Sequence, residues 1–149
     1  MNLSKKSRYG ITALIDLAVY ARNQCVQLSS IAERNKISVK YLEQIFSSLR
    51  RAELVKSVKG PQGGYLLAKK PESITVADVI HALEGSYLLE DERSVVSGAD
   101  EKGISTAIQK LLIEQMNDQT DKLLKQLTLK TLVDSSLKYS QDGQEMYYI

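Results

Sequence analysis

The 149-residue chain has little of what metal and disulfide chemistry needs: one cysteine, Cys25, and one histidine, His81. A lone cysteine excludes a disulfide within the chain, a zinc site of the CxxC type, and any cluster held by several thiolates of one chain. His81 has no second ligand near it and reads as a surface or partly buried side chain, so no metal and no cofactor are expected. No Ser/His/Asp set, phosphate loop or metal-ligand spacing is present, so an enzyme is not expected. No run of 18 apolar residues exists, which excludes a membrane-spanning helix. The first 23 residues lack a long apolar core with a small-residue cleavage site; with no disulfide, the expected setting is the cytoplasm.

The composition, 43% hydrophobic and 26% charged, is that of a soluble globular domain. The net charge of +2 hides a division. Residues 1–70 carry 13 Lys or Arg against 4 Asp or Glu, a net +9, whereas residues 71–149 carry 7 against 14, a net −7. A basic half joined to an acidic half points to a polyanion-binding module attached to something else.

Apolar residues Ile11, Leu14, Ile15, Ala18 and Val19 recur at helical spacing and predict a helix over 8–23. A short extended piece, 25–28, precedes Ser30-Ile31-Ala32-Glu33, which reads as a capping box opening a short helix that ends near Lys36. Ser38 then caps a helix over 39–51, with Tyr41, Leu42, Ile45, Phe46 and Leu49 inward. Two short helices joined by a tight turn form a helix-turn-helix pattern. The period changes to two over 54–59, turn residues fill 60–64, and 65–68 is a second strand: a hairpin wing. Thr75 to Asp78 caps a helix running to Glu84, and Gly85 stops it. An acidic, irregular connector follows. A long helix, 102–126, would span roughly 37 Å, polar and either exposed or bent at 117–122. Thr128 caps a short helix through Leu137.

The residues at 3–10 (LSKKSRYG) and at 37–85, with the runs YLEQ, LVKSVKGPQGGY and ITVADVI, resemble the Rrf family of bacterial winged-helix regulators. The resemblance is close over the first 85 residues and weaker beyond. It implies an α+β, mostly helical fold: a winged helix-turn-helix DNA-binding domain (1–85), a connector (86–101), dimerisation helices (102–137) and a C-terminal tail (138–149). Family members are homodimers whose long helices pack across the two-fold axis. In the cluster-binding branch three cysteines lie in the connector; here it has none. The chain therefore resembles the cluster-free, CymR-type branch of cysteine-metabolism repressors, as the single Cys25 and the terminal Tyr-Ile also suggest. The implied function is sequence-specific DNA binding, with repression of cysteine or sulfur genes.

Phosphates need positive charge and backbone donors, and base edges need short polar or planar groups on a helix face. On the second helix Ser38, Lys40, Tyr41, Glu43, Gln44 and Ser48 are candidates, with Arg50 and Arg51 at its end. Gln44 can pair with adenine; Glu43 accepts from a cytosine amine or pairs with a neighbouring Arg or Lys; Tyr41 is a core residue or one whose hydroxyl reaches phosphate. Arg50 contacts phosphate or complements the helix dipole. The wing offers Lys59, Gln62, Gly63 and Gly64, whose glycines permit close approach to the duplex or only shape the turn. Lys5, Lys6, Arg8 and Tyr9 resemble the family's backbone-contacting segment. Cys25 is a redox candidate or an inert small side chain. Ile104, Ile108, Leu111 and Leu112 need an apolar partner and mark the dimer face. By the CymR resemblance, Tyr148 and Ile149 either dock into cysteine synthase or pack on the protein's own dimer surface. The rival class is a winged helix used only for protein contact.

Overall fold

The computed structural model describes residues 2–95, 98 and 102–147. Ser4 begins the first element: its hydroxyl accepts from the Ser7 N–H at 3.1 Å and caps helix α1 (Lys5–Tyr20). This helix starts three residues before the sequence expectation and stops three before its end. It stops because Arg22 to Gln24 bend the chain so that Val26 can pair with Tyr65 in the wing.

Helix α2 (Leu28–Asn35) corrects a second expectation. The cap is Gln27, without a side-chain bond, and Ser30 lies inside the first turn, donating its N–H to the Gln27 carbonyl at 3.1 Å. Tertiary pairing of Val26 sets the entry of the chain, and the helix begins where Leu28 can pack on the core. Lys36 closes it in the left-handed conformation, φ 54°, and makes the tight turn. Ser38 then caps α3 (Val39–Arg51), as expected, accepting from the Tyr41 N–H at 3.1 Å.

Strands β1 (Val55–Val58) and β2 (Gly64–Leu67) form the antiparallel wing, with Val55 opposite Leu67 and Val58 opposite Gly64. A short 3-10 turn (Pro71–Ser73) leads to α4 (Val76–Glu84). The capping box is complete: Asp78 N–H donates to Thr75 at 3.1 Å and Asp78 accepts from the Thr75 N–H at 2.9 Å. The core joins α1, α2, α3, the wing base, α4 and the start of the last helix through Leu14, Leu17, Ile31, Leu42, Ile45, Phe46, Leu49, Ile74 and Leu129, all nearly inaccessible to solvent.

The connector contains a helical turn, α5 (Glu92–Val95). The long helix is α6 (Ile104–Ile108), a π-helical turn (Gln109–Ile113) and α7 (Glu114–Gln126) in sequence. Its irregularity therefore lies at 109–113 and not at the polar stretch 117–122. That stretch holds the connector instead. Tyr87 donates its hydroxyl to Asp121, and Asn117 bonds both the N–H and the carbonyl of Leu89 at 2.8 and 3.1 Å. Gln109, on the π turn, accepts from the Glu92 N–H at 2.7 Å. Thr128 caps α8 (Leu129–Tyr147) through the Thr131 N–H at 3.2 Å. This helix runs ten residues past the expected stop at Leu137, so the segment 138–147 is helical and not a loose tail.

Candidate nucleic-acid interface

Helix α3 divides sharply. Leu42, Ile45, Phe46 and Leu49 are buried, while Ser38, Lys40, Glu43, Gln44, Arg50 and Arg51 are exposed. Lys40 and Gln44 are one turn apart and so share a face. Glu43 makes no ion pair with any described residue, which leaves its carboxylate free to accept from outside. Arg50 and Arg51 occupy the last turn, where cations also suit the helix dipole.

Tyr41 is half-buried against the core, its ring edge-on to Tyr9 at 5.7 Å between centroids. The Lys5 ammonium lies 5.7 Å from the Tyr9 ring. The start of α1 is thereby tied to α3, and Lys5 is brought toward the exposed face of the reading helix. Arg8 is exposed, its Nε donating to the Leu3 carbonyl at 3.1 Å.

In the wing, Lys59 and Gln62 are exposed and Gly63 and Gly64 are half-buried. Both glycines have an intramolecular reason. A Cβ on Gly63 would lie 2.3 Å from the Val58 carbonyl oxygen, and one on Gly64 would lie 2.5 Å from that of Val26. The turn-shaping role thus accounts for them within the protein itself. Val26 and Tyr65 exchange two backbone hydrogen bonds, at 2.9 and 2.7 Å, and Tyr65 packs edge-on against Phe46 of α3 at 4.8 Å. Wing and reading helix are therefore one rigid unit, with Lys59 at its tip.

A basic surface made of a helix-turn-helix and a wing held to it is the geometry of duplex readers. The family described as Rrf2, iron-dependent transcriptional regulator, matches residues 3–135. The regulator IscR of Escherichia coli O1:K1 is 37% identical over 97% of this chain and 88% of its own. The structure of CymR, the global cysteine regulator of Bacillus subtilis, superposes with a TM-score of 0.75 at 36% identity, covering 91% of this chain and 98% of the other. An oxidized form of Staphylococcus aureus CymR gives 0.69 at 38% identity, covering 89% and 96%. The chain belongs to the Rrf2 family. It is a DNA-binding transcriptional regulator of the type that includes IscR and CymR, and not an enzyme.

Within this Rrf2 chain, Cys25 stands apart from the connector. It is half-buried, and its thiol donates to the Gln62 carbonyl of the wing turn at 2.8 Å. It lines a polar cleft of about 280 Å³ with Tyr20, Gln27, Arg34 and Gln62. This link across 37 residues of sequence carried no local signal. His81 is exposed, its Nδ1 in contact with the Gly85 carbonyl. Among the described residues no group of three or more His, Cys, Asp or Glu is placed to hold a metal, and no helix is long and apolar enough to cross a membrane.

The proposed dimer face is open on this single chain. Ile104 is 58% and Leu111 76% exposed, Leu112 is exposed, and Ile108 is half-buried. Tyr148 and Ile149 lie outside the described residues. Sequence reasoning missed Val39, an exposed apolar residue on α3; at 100° per residue it falls about 20° from buried Phe46, so period alone gave no signal of its exposure. The connector's partners Asn117 and Asp121 were also missed, because a polar run on a helix does not announce what it binds.

Proposed function

We propose that this Rrf2 protein is a homodimeric, sequence-specific repressor that works without an iron–sulfur cluster and controls genes of cysteine or sulfur metabolism. The observation that carries the reading is the set of exposed side chains Lys40, Glu43 and Gln44 on a helix whose opposite face is sealed in the core. Gln44 reads a base edge, while Lys59, Lys5 and Arg8 hold phosphates. The exposed Ile104, Leu111 and Leu112 support pairing of two long helices. A two-fold dimer then presents two reading helices about 34 Å apart to a roughly palindromic site.

The family's description includes iron, but the donors here do not fit a cluster. The whole sequence holds one cysteine, and residues 86–101 hold none. Cys25 is engaged with the wing turn instead. Thiolates are the usual ligands of such clusters, so no step of regulation is routed through one. Similarity, at 36% identity, to a regulator described as the global cysteine regulator of its organism supports the metabolic assignment. Genome-wide mapping of bound sites tests it: peaks upstream of cysteine or sulfur genes are expected, and their absence refutes that assignment.

The Cys25–Gln62 bond favours a second, compatible reading: redox control through the wing. A peroxide reaching the cleft would convert the thiol to a sulfenic acid with release of water, removing the S–H that holds the turn. Operator affinity in the wild type should then fall after peroxide and recover with a thiol reductant, while a Cys25→Ser protein should not respond.

A further inference from the structure

On α3 the outward residues form two rows. Lys40, Gln44 and Arg51 run along the middle, and Val39, Glu43 and Arg50 along one edge. All of these except Val39 carry a hydrogen-bonding side chain. Val39 is 41% exposed, and it belongs neither to the core cluster nor to the partly buried residues packed against it. A β-branched side chain is a poor helix former, and at a position 41% exposed burial compensates for it only in part. A single exposed apolar residue is ordinary on a protein surface; its place decides its meaning here. Val39 is the first residue of the reading helix, directly after the Ser38 cap, and the first residues of such helices are those that reach base edges.

We propose that Val39 reads the C5-methyl group of a thymine in the major groove. That methyl is the apolar group that major-groove edges present, and it is what separates thymine from cytosine for a side chain without donors or acceptors. Contact removes both surfaces from water. Glu43, one turn further on the same edge, faces the neighbouring stretch of the groove, so the two residues sample successive positions. The proposal rests on the DNA-binding reading of α3 and extends it to a named base.

The probe is a duplex selected from random-sequence DNA by the full-length wild-type protein, in which each thymine in turn is replaced by deoxyuridine. That replacement removes one methyl group and leaves base pairing intact. In the wild type, one substitution per half-site should weaken binding about fourfold, the worth of one buried methyl-sized group. Val39→Ala should bind the parent duplex more weakly and show no further loss on that same substitution. Unchanged circular dichroism and melting of Val39→Ala would show that its fold is intact, as expected for an exposed site. Deoxyuridine tolerated everywhere, or Val39→Ala retaining the wild-type sensitivity, overturns the methyl contact while leaving DNA binding standing. A selection that enriches no sequence overturns the DNA-reading function itself, and the methyl contact with it.

Discussion

Gly64→Ala is the sharpest probe of how the wing is held. An alanine Cβ would lie 2.5 Å from the Val26 carbonyl oxygen and 2.7 Å from its carbon, whereas ordinary contact begins at 3.4 Å. Both neighbours are backbone, so no rotamer change relieves the overlap, and the strand must retreat by roughly 0.9 Å. The two Val26–Tyr65 hydrogen bonds, now 2.9 and 2.7 Å, would then stretch beyond useful range. At about 0.5–1.5 kcal/mol each, their loss costs about 1–3 kcal/mol. Gly60→Ala is the control. Its Cβ meets nothing within 4 Å, so only the unfavourable φ of +109° is felt, about 1–2 kcal/mol. Urea denaturation measures the stability of both. Affinity for a selected duplex across a salt series measures the function. Gly64→Ala should displace Lys59 of both subunits of the proposed dimer from the DNA backbone and lower the salt slope by about two, and Gly60→Ala should not. Equal salt slopes for Gly64→Ala and wild type would show that Val26 does not position the wing for DNA.

Gln44→Ala should lose about 1–3 kcal/mol on the cognate site while keeping random-duplex binding; Lys59→Ala should weaken both kinds of binding. An unchanged ratio of specific to random affinity in Gln44→Ala removes the base-reading role. Replacing Ile108 and Leu111 by Asp should give monomers by light scattering with weakened operator binding, because linked half-sites lose their avidity; intact dimers would rule out that face. Tyr87 is pushed up to about 12 from 10.0, first by its hydrogen bond to Asp121 and then by burial. A folded-state value above the unfolded one means that this contribution is whole below about pH 10 and is lost as pH rises toward 12. Tyr87→Phe should therefore flatten the decline of stability across that window, and an unchanged alkaline profile would count against the bond. Protein purified without oxygen should carry no acid-labile sulfide; a stoichiometric amount would contradict the ligand argument.

Local signals translated directly into structure wherever a cap was decided by its own neighbours. Ser38, the Thr75–Asp78 box and Thr128 all sit where spacing puts them. Ser30 shows the limit: its capping pattern is sound, but Val26, tied to Tyr65 in the wing, admits the chain to α2 at Gln27. The π turn at 109–113 was invisible for a related reason, since Gln109 answers to Glu92 across the connector. Helix α8 continues past Leu137 because 138–147 contains no proline and only one glycine, Gly143. For the site, period alone separated the inward from the outward face of α3. Neither the Tyr9–Tyr41 contact nor the thiol bond of Cys25 to the wing turn could be read that way, because each joins elements that only the fold brings together.

The connector explains how the reading helix is tied to the long helix. Helix α4 packs on α1, α3 and α7, so its placement governs the angle between α3 and α7. Tyr87, directly after α4, is buried with Val76, Ala77 and Ile80 and bonded to Asp121. The same aspartate pairs with Lys125 at 2.9 Å, and its carboxyl is held below the usual range by these two partners. Asn117 and Gln109 fasten the chain at Leu89 and Glu92, one and three turns further along. Polar ties of this kind add little stability each, since water competes for the same groups. Their contribution is geometric: several directional bonds along one helix face fix a rotation that apolar contact alone leaves loose. In the proposed dimer, which would match two half-sites at once, that rotation would set which spacing is bound. The polar stretch 117–122, which reads as exposed or bent in sequence, is thus where the connector fastens the helix-turn-helix unit to the long helix.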